Sequence, residues 1–308
     1  MSLPALALVA AALAAAPPAP AAAPATPFEL ALTVDDLPSH GSDVPGLSRL
    51  AIAQRLLAVF KQHGLPPVYG FVNAGKLEGH PERKAVLDAW HAAGNPLGNH
   101  GYSHLSLTAS EVPAYVADIE RDEALLGAYG PAEELRVYRY PFLFEGETKG
   151  KRDQVRAWLS AHRYRIAQVS IDGDDWAWNE PYARCAAAHD QLGLSLLRRS
   201  FLDAQVRYVA HYRALARLLL GREPRHVLLL HVGAMDADQM DALLSSLEAA
   251  GARFITLDRA LEDPLYALDH GVVTKSGSTL LDKLALAKGE HGPAFAWPDE
   301  KWLEGVCR

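Results

Sequence analysis

The chain has 308 residues, 49% of them hydrophobic and 22% charged, and a formal net charge of −7. That composition belongs to a globular protein with a well-buried core. The acidic balance, without any run of Lys or Arg, excludes a basic footprint for nucleic acid.

The first 27 residues carry no charged side chain. Their apolar part, Leu3 to Ala16, is too short to span a bilayer comfortably but fits the core of a secretory signal, with small-residue cleavage options around Ala19–Ala21. The expectation is an exported protein, periplasmic or secreted, with a leader over 1–27. No later segment reads as transmembrane.

Beyond the leader, short apolar runs predict buried strands at Leu30–Val34, Pro67–Val72, Pro96–Asn99, Val137–Tyr140, Arg165–Ile171 and His226–Leu230. Helical spacing predicts helices at Leu50–Gln62, Glu82–Ala93, Ser110–Ala128, Lys151–Ala161, Ser200–Leu220 and Asp238–Ala249, and "ARFITLDRALED" adds a closing β-then-α unit. Such alternation predicts parallel strands wrapped by helices, as a barrel or an open sheet, over a core of residues 28–263. The remainder, 264–308, contains the helical pattern "STLLDKLALAK" and reads as an extension packed on that core. The two cysteines, Cys185 and Cys307, have no metal-binding spacing. They either pair and staple the tail or stand as separate thiols.

Parallel α/β folds collect chemistry at the carboxyl ends of their strands. At those ends stand Asp35 and Asp36 of "TVDD", His100 and His104 of "NHGYSH", Arg139 and Phe142 of "RYPF", the acidic run "DGDDW", and His231 of "LLH". Two histidines four residues apart would face one way on a helical turn, and an aspartate beside them completes a three-ligand metal site with open positions. With Asp36 as that ligand, Asp35 is free to act as a base. The competing reading of the pair is an Asp cap on the turn before Pro38. His231 reads either as a proton donor paired with a carboxylate or as a buried histidine satisfied by the backbone.

These five segments, in this order and spacing, resemble the motifs of the polysaccharide deacetylases, carbohydrate esterase family four. The resemblance runs from Thr33 to His231 and on through "ARFITLDRAL". It implies a distorted (β/α) barrel of about seven parallel strands and a divalent metal, zinc first, with cobalt, nickel or manganese as alternatives. By the same resemblance Asp36, His100 and His104 would be metal ligands and Asp35 the general base, with Arg139 orienting it. The Phe142 N–H would hold the oxyanion. His231 would be the general acid, tuned by Asp175, and Trp176, Leu229 and Tyr140 would contact substrate. Two departures stand out: Gly101 replaces the usual Ser or Thr, and "RYPF" replaces Arg-Pro-Pro-Tyr. The implied activity is removal of N-acetyl groups from an acetylated amino-sugar glycan of the chitooligosaccharide or peptidoglycan type. The alternatives are O-acetyl ester or small-amide hydrolysis on the same site, a non-haem iron oxygenase, and a glycan-binding homologue without turnover.

Overall fold

The computed structural model describes residues 26–274, 276–296 and 298–308, so the expected leader lies almost wholly outside the described residues. The chain begins β1 (Phe28–Leu37), α1 (Arg49–Gln62), β2 (Tyr69–Val72), α2 (Lys84–Ala92), β3 (Leu97–Asn99), α3 (Val112–Leu126), α4 (Ala132–Leu135), β4 (Val137–Tyr138), α5 (Lys149–Ala161) and β5 (Arg165–Ile166). It continues β6 (Ile171–Asp172), α6 (Asn179–Ala187), α7 (Gln191–Leu220), β7 (His226–His231), α8 (Ala234–Ala249), β8 (Ala252–Phe254) and α9 (Leu257–Leu261), then ends in α10 (Leu280–Lys288) and α11 (Glu300–Gly305).

All strand pairs are parallel, and the sheet runs β5-β4-β3-β2-β1-β7-β6, with β8 also on β1. Leu30 pairs with both His226 of β7 and Phe254 of β8. Strand β8 therefore shares the β2 side of β1, and the sheet has seven lateral positions. This is the expected distorted barrel.

Alternation along the strands builds two compartments. Leu30, Leu32 and Val34 of β1 pack outward against the helices. Ala31 faces inward with Tyr69, Phe71, Val137, Ala167 and Val227, filling the bottom of the barrel. One pleat repeat further along the same inner face come Thr33 and then Asp35, so the lining turns from apolar to ionisable toward the carboxyl ends.

The expected single strand Arg165–Ile171 is two strands with a gap. Strand β5 pairs with β4 and β6 pairs with β7, so the chain steps from one edge of the sheet to the other across residues 167–170. The tail covers this seam: Leu280 N–H donates to Val169 O at 2.7 Å, and Tyr266 Oη donates to Ser170 Oγ at 3.2 Å. Below it, Glu145, 4% exposed, binds Lys283 of α10 at 2.7 Å and Arg156 of α5 at 2.8 Å. Cys185 of α6 and Cys307 form a disulfide that ties the tail to the helical layer. Helix α6 and the first nine residues of α7 were not expected from the sequence.

Candidate active site

Asp35 closes the inner face of β1 and is 2% exposed. Arg139, just past β4, reaches it with Nη1 3.2 Å from each carboxylate oxygen. The guanidinium cannot swing away. Its Nε donates to Ala167 O at 2.6 Å, its Nη2 to Thr33 Oγ1 at 3.1 Å, and it lies over the Phe71 ring. Burial pushes the Asp35 carboxyl up to about 6, against the pull of Arg139 and His231.

Asp36 turns out of the strand in the left-handed region, φ 72°. A non-glycine residue held there marks strain that the surroundings maintain. Its Oδ2 accepts from His40 Nδ1 at 2.7 Å, and its Oδ1 lies 2.8 Å from Lys76 Nζ and 3.5 Å from His104 Nε2. The buried Oδ1 has no partner in hydrogen-bond geometry. Burial alone would raise this carboxyl, but Lys76, the His40 hydrogen bond and His104 hold it well below the usual range.

His100 and His104 do meet beside Asp36, although not on a helical turn. They sit on a loop after β3 that bends through Gly101 at φ 74° and His104 at φ 54°. Asn73 Nδ2 holds the loop by bonds to the His100 and Gly101 carbonyls, both at 2.8 Å, and Asn99 Oδ1 accepts from Gly101 N–H at 2.9 Å. His100 Nδ1 donates to Arg139 O at 2.8 Å, which turns Nε2 toward the site. Burial lowers His100 far below its ordinary value and His104 to about 4, so both rings are neutral, the form that binds a metal. One donor atom from each of Asp36, His100 and His104 lies within 4.8 Å of the others. The Asp36 carboxylate oxygen, ion-paired to Lys76 but without a partner in hydrogen-bond geometry, and the two neutral imidazoles fit a divalent cation.

Across the cavity, His231 ends β7. Its Nδ1 donates to Asp175 Oδ1 at 2.9 Å while its backbone N–H donates to Asp175 Oδ2 at 2.7 Å. Of the three aspartates in "DGDDW" it is thus Asp175 that pairs with the histidine. Burial pushes the Asp175 carboxyl up to about 7, and a hydrogen bond from the equally buried Asp236 pulls the other way.

The cavity between these groups measures about 390 Å³, and Leu229 and Trp176 line it, the latter 50% exposed. Phe142 stands in a turn at φ 58°, its ring 4.4 Å from His104 between centroids. Tyr140 does not reach the cavity. It is 3% exposed, packed on Tyr138 and Tyr115, so the expected substrate contact is corrected to a core position. Three further residues belong to the site. His40 is brought back onto Asp36 by the turn at Pro38, and the one sequence signal for it is its place four residues on, in "DDLPSH". Gly277 of the tail lines the cavity, packed on the Phe142 carbonyl. Asp236 stands behind Asp175. The last two carry no local motif.

A family model described as polysaccharide deacetylase matches residues 22–162, which hold Asp35 to Phe142 and stop short of Asp175 and His231. A curated peptidoglycan-N-acetylglucosamine deacetylase of Bacillus cereus is 25% identical over 74% of this chain, and the match spans 66% of that protein's length. Among solved structures, a peptidoglycan N-acetylglucosamine deacetylase complex superposes with a TM-score of 0.51 at 22% identity, over 77% of this chain and 89% of the other. A mutant of a CE4 family pseudoenzyme with restored enzymatic activity gives a TM-score of 0.51 at 16% identity, over 76% and 68%. At these identities the structural likeness speaks for the fold. With the matched sequence segment and the curated relative beside it, the chain is similar to the polysaccharide deacetylase family over residues 22–162.

Proposed function

We propose that this protein is a metal-dependent hydrolase that removes N-acetyl groups from an acetylated amino-sugar glycan. The observation that carries the reading is the convergence on one cavity of Asp35, the Asp36–His100–His104 group, and His231 backed by Asp175. The relative's name supports an N-acetylglucosamine residue as the substrate unit. The Cys185–Cys307 disulfide and the apolar leader support work in an oxidising, extracytoplasmic compartment.

Asp36, His100 and His104 would hold the cation, which when bound polarises the acetyl carbonyl and acidifies water. Asp35, held in one orientation by Arg139, takes a proton from the attacking water. The new C–O bond forms as the carbonyl electrons move onto oxygen, and the Phe142 N–H is the backbone donor offered to that oxyanion. An amine leaves poorly unless protonated. His231, with Nδ1 fixed on Asp175, presents Nε2 to deliver the proton to the amide nitrogen as the C–N bond breaks, giving acetate and the free amine.

The test is acetate release from chitooligosaccharide, peptidoglycan and acetylated xylan, with Asp35→Asn as the blank. Release from an amino-sugar substrate, lost on chelation and restored by zinc, is the expected result. Release from xylan alone would make the protein an O-acetyl esterase, and no release with zinc loaded would make it a binder.

A further inference from the structure

The two oxygens of the Asp36 carboxylate face different histidine pairs. Oδ1 looks toward His104, with His100 beyond it, and Oδ2 bonds His40. On that second side the His40 and His231 rings lie 4.6 Å apart between centroids, tilted by 41°. Donor atoms of Asp36, His40 and His231 lie within 4.8 Å of one another, the same limit met by Asp36, His100 and His104. Because His231 Nδ1 is engaged by Asp175, the nitrogen it offers is Nε2. The His40 and His231 side chains are 19% and 13% exposed, so an ion can reach them and the rings have room to close on it.

Four carboxylates, Asp35, Asp36, Asp172 and Asp174, line the cavity, while Arg139 and Lys76 are the cations paired to the first two. A carboxylate that turns one oxygen to each of two imidazole pairs has the form of a bridging ligand, which sets two cations about 4 Å apart.

We propose that Asp36 bridges two cation sites, and that the second, formed with His40 and His231, takes a first-row divalent ion such as zinc and switches the enzyme off. The inference rests on the first site of the proposed function. The second ion suppresses turnover because a metallated Nε2 has no proton to give to the leaving amine. Imidazole and carboxylate donors suit zinc, cobalt or nickel over magnesium or calcium.

The experiment is zinc titration of the metal-stripped full chain by equilibrium dialysis, with acetate release followed in parallel. The wild type is expected to bind two ions, with activity rising through the first equivalent and falling as the second binds. His40→Gln keeps a hydrogen-bonding group toward Asp36 but is a poor ligand. It is expected to bind one ion and to need about tenfold or more zinc for inhibition. His104→Ala, by contrast, is expected to lose the tighter ion. One ion at all zinc concentrations in the wild type, or a second ion unaffected by His40→Gln, overturns the proposal. Retention of the tight ion in His104→Ala overturns the first-site reading instead, so the two failures are separable. A repeat with His40→Ala and circular dichroism checks that lost binding is not lost folding.

Discussion

Arg139 shows how much a single side chain can be asked to do. One guanidinium spans Asp35, Thr33 and Ala167 and rests on Phe71. Lysine keeps the charge but lacks the planar fork. Arg139→Lys is therefore expected to lower kcat by about a hundredfold, within the range for a misplaced base, with a smaller change in KM. Steady-state acetate release with a folding control measures this. Gly101 invites the opposite kind of test, since the family usually has a hydroxyl residue there. At φ 74°, with an added Cβ 3.0 Å from Asp118 Oδ2, serine is strained in this chain. The loop already takes its support from Asn73 and Asn99. Gly101→Ser is expected to cost about 1 kcal/mol or more of stability, read from denaturant unfolding, and not to raise activity. The strand-end residues were legible because apolar runs stop abruptly at ionisable groups. His40 was not, because its approach depends on the turn after Asp36 and on Arg49, which donates to the His40 carbonyl at 2.6 Å.

At the scale of elements, the long apolar strands β1 and β7 and the amphipathic helices were legible from period alone. Helix α6 and the start of α7 were hidden by Pro181 and Gly193, residues that read as turns. Gly193 sits inside α7 because the Cys185–Cys307 disulfide passes against it; an added Cβ would lie 2.5 Å from Cys307 Sγ. That reason lies 114 residues away in the chain and leaves no local trace. The loop around Gly277 is a similar case. A Cβ there would lie 2.2 Å from the Phe142 carbonyl, so Gly277→Ala must displace the turn whose Phe142 N–H the proposed mechanism uses. A fall of about tenfold in kcat, with stability lowered by roughly 1–3 kcal/mol, is expected. An unchanged rate in acetate-release assays would separate the tail from the chemistry.

For the whole molecule, the buried Glu145 group joins tail to barrel. Lys283 and Arg156, together with hydrogen bonds from Lys283 and Gln168, overcome burial and hold its carboxyl down to about 2. A carboxyl lowered on folding adds stability that is complete above its unfolded value of about 4.5 and is lost as pH falls through its folded value. Acid should therefore cost a few kcal/mol between about pH 4.5 and 2, an upper bound for one group. Glu145→Gln should flatten that slope in urea titrations while lowering stability at neutral pH, because Lys283 is left buried without its partner.

The seam between β5 and β6 has a consequence for anyone who trims this protein. In most barrels the last stave lies beside the first and the hoop closes on itself; here the wedge comes from beyond Asp263, through Leu280 and Lys283. A fragment ending at Asp263 would expose two raw strand margins and take from the buried Glu145 its Lys283 partner, leaving Arg156 and Gln168. It should be recovered as clumped material on a sizing column, and the shortest useful recombinant product should reach Cys307.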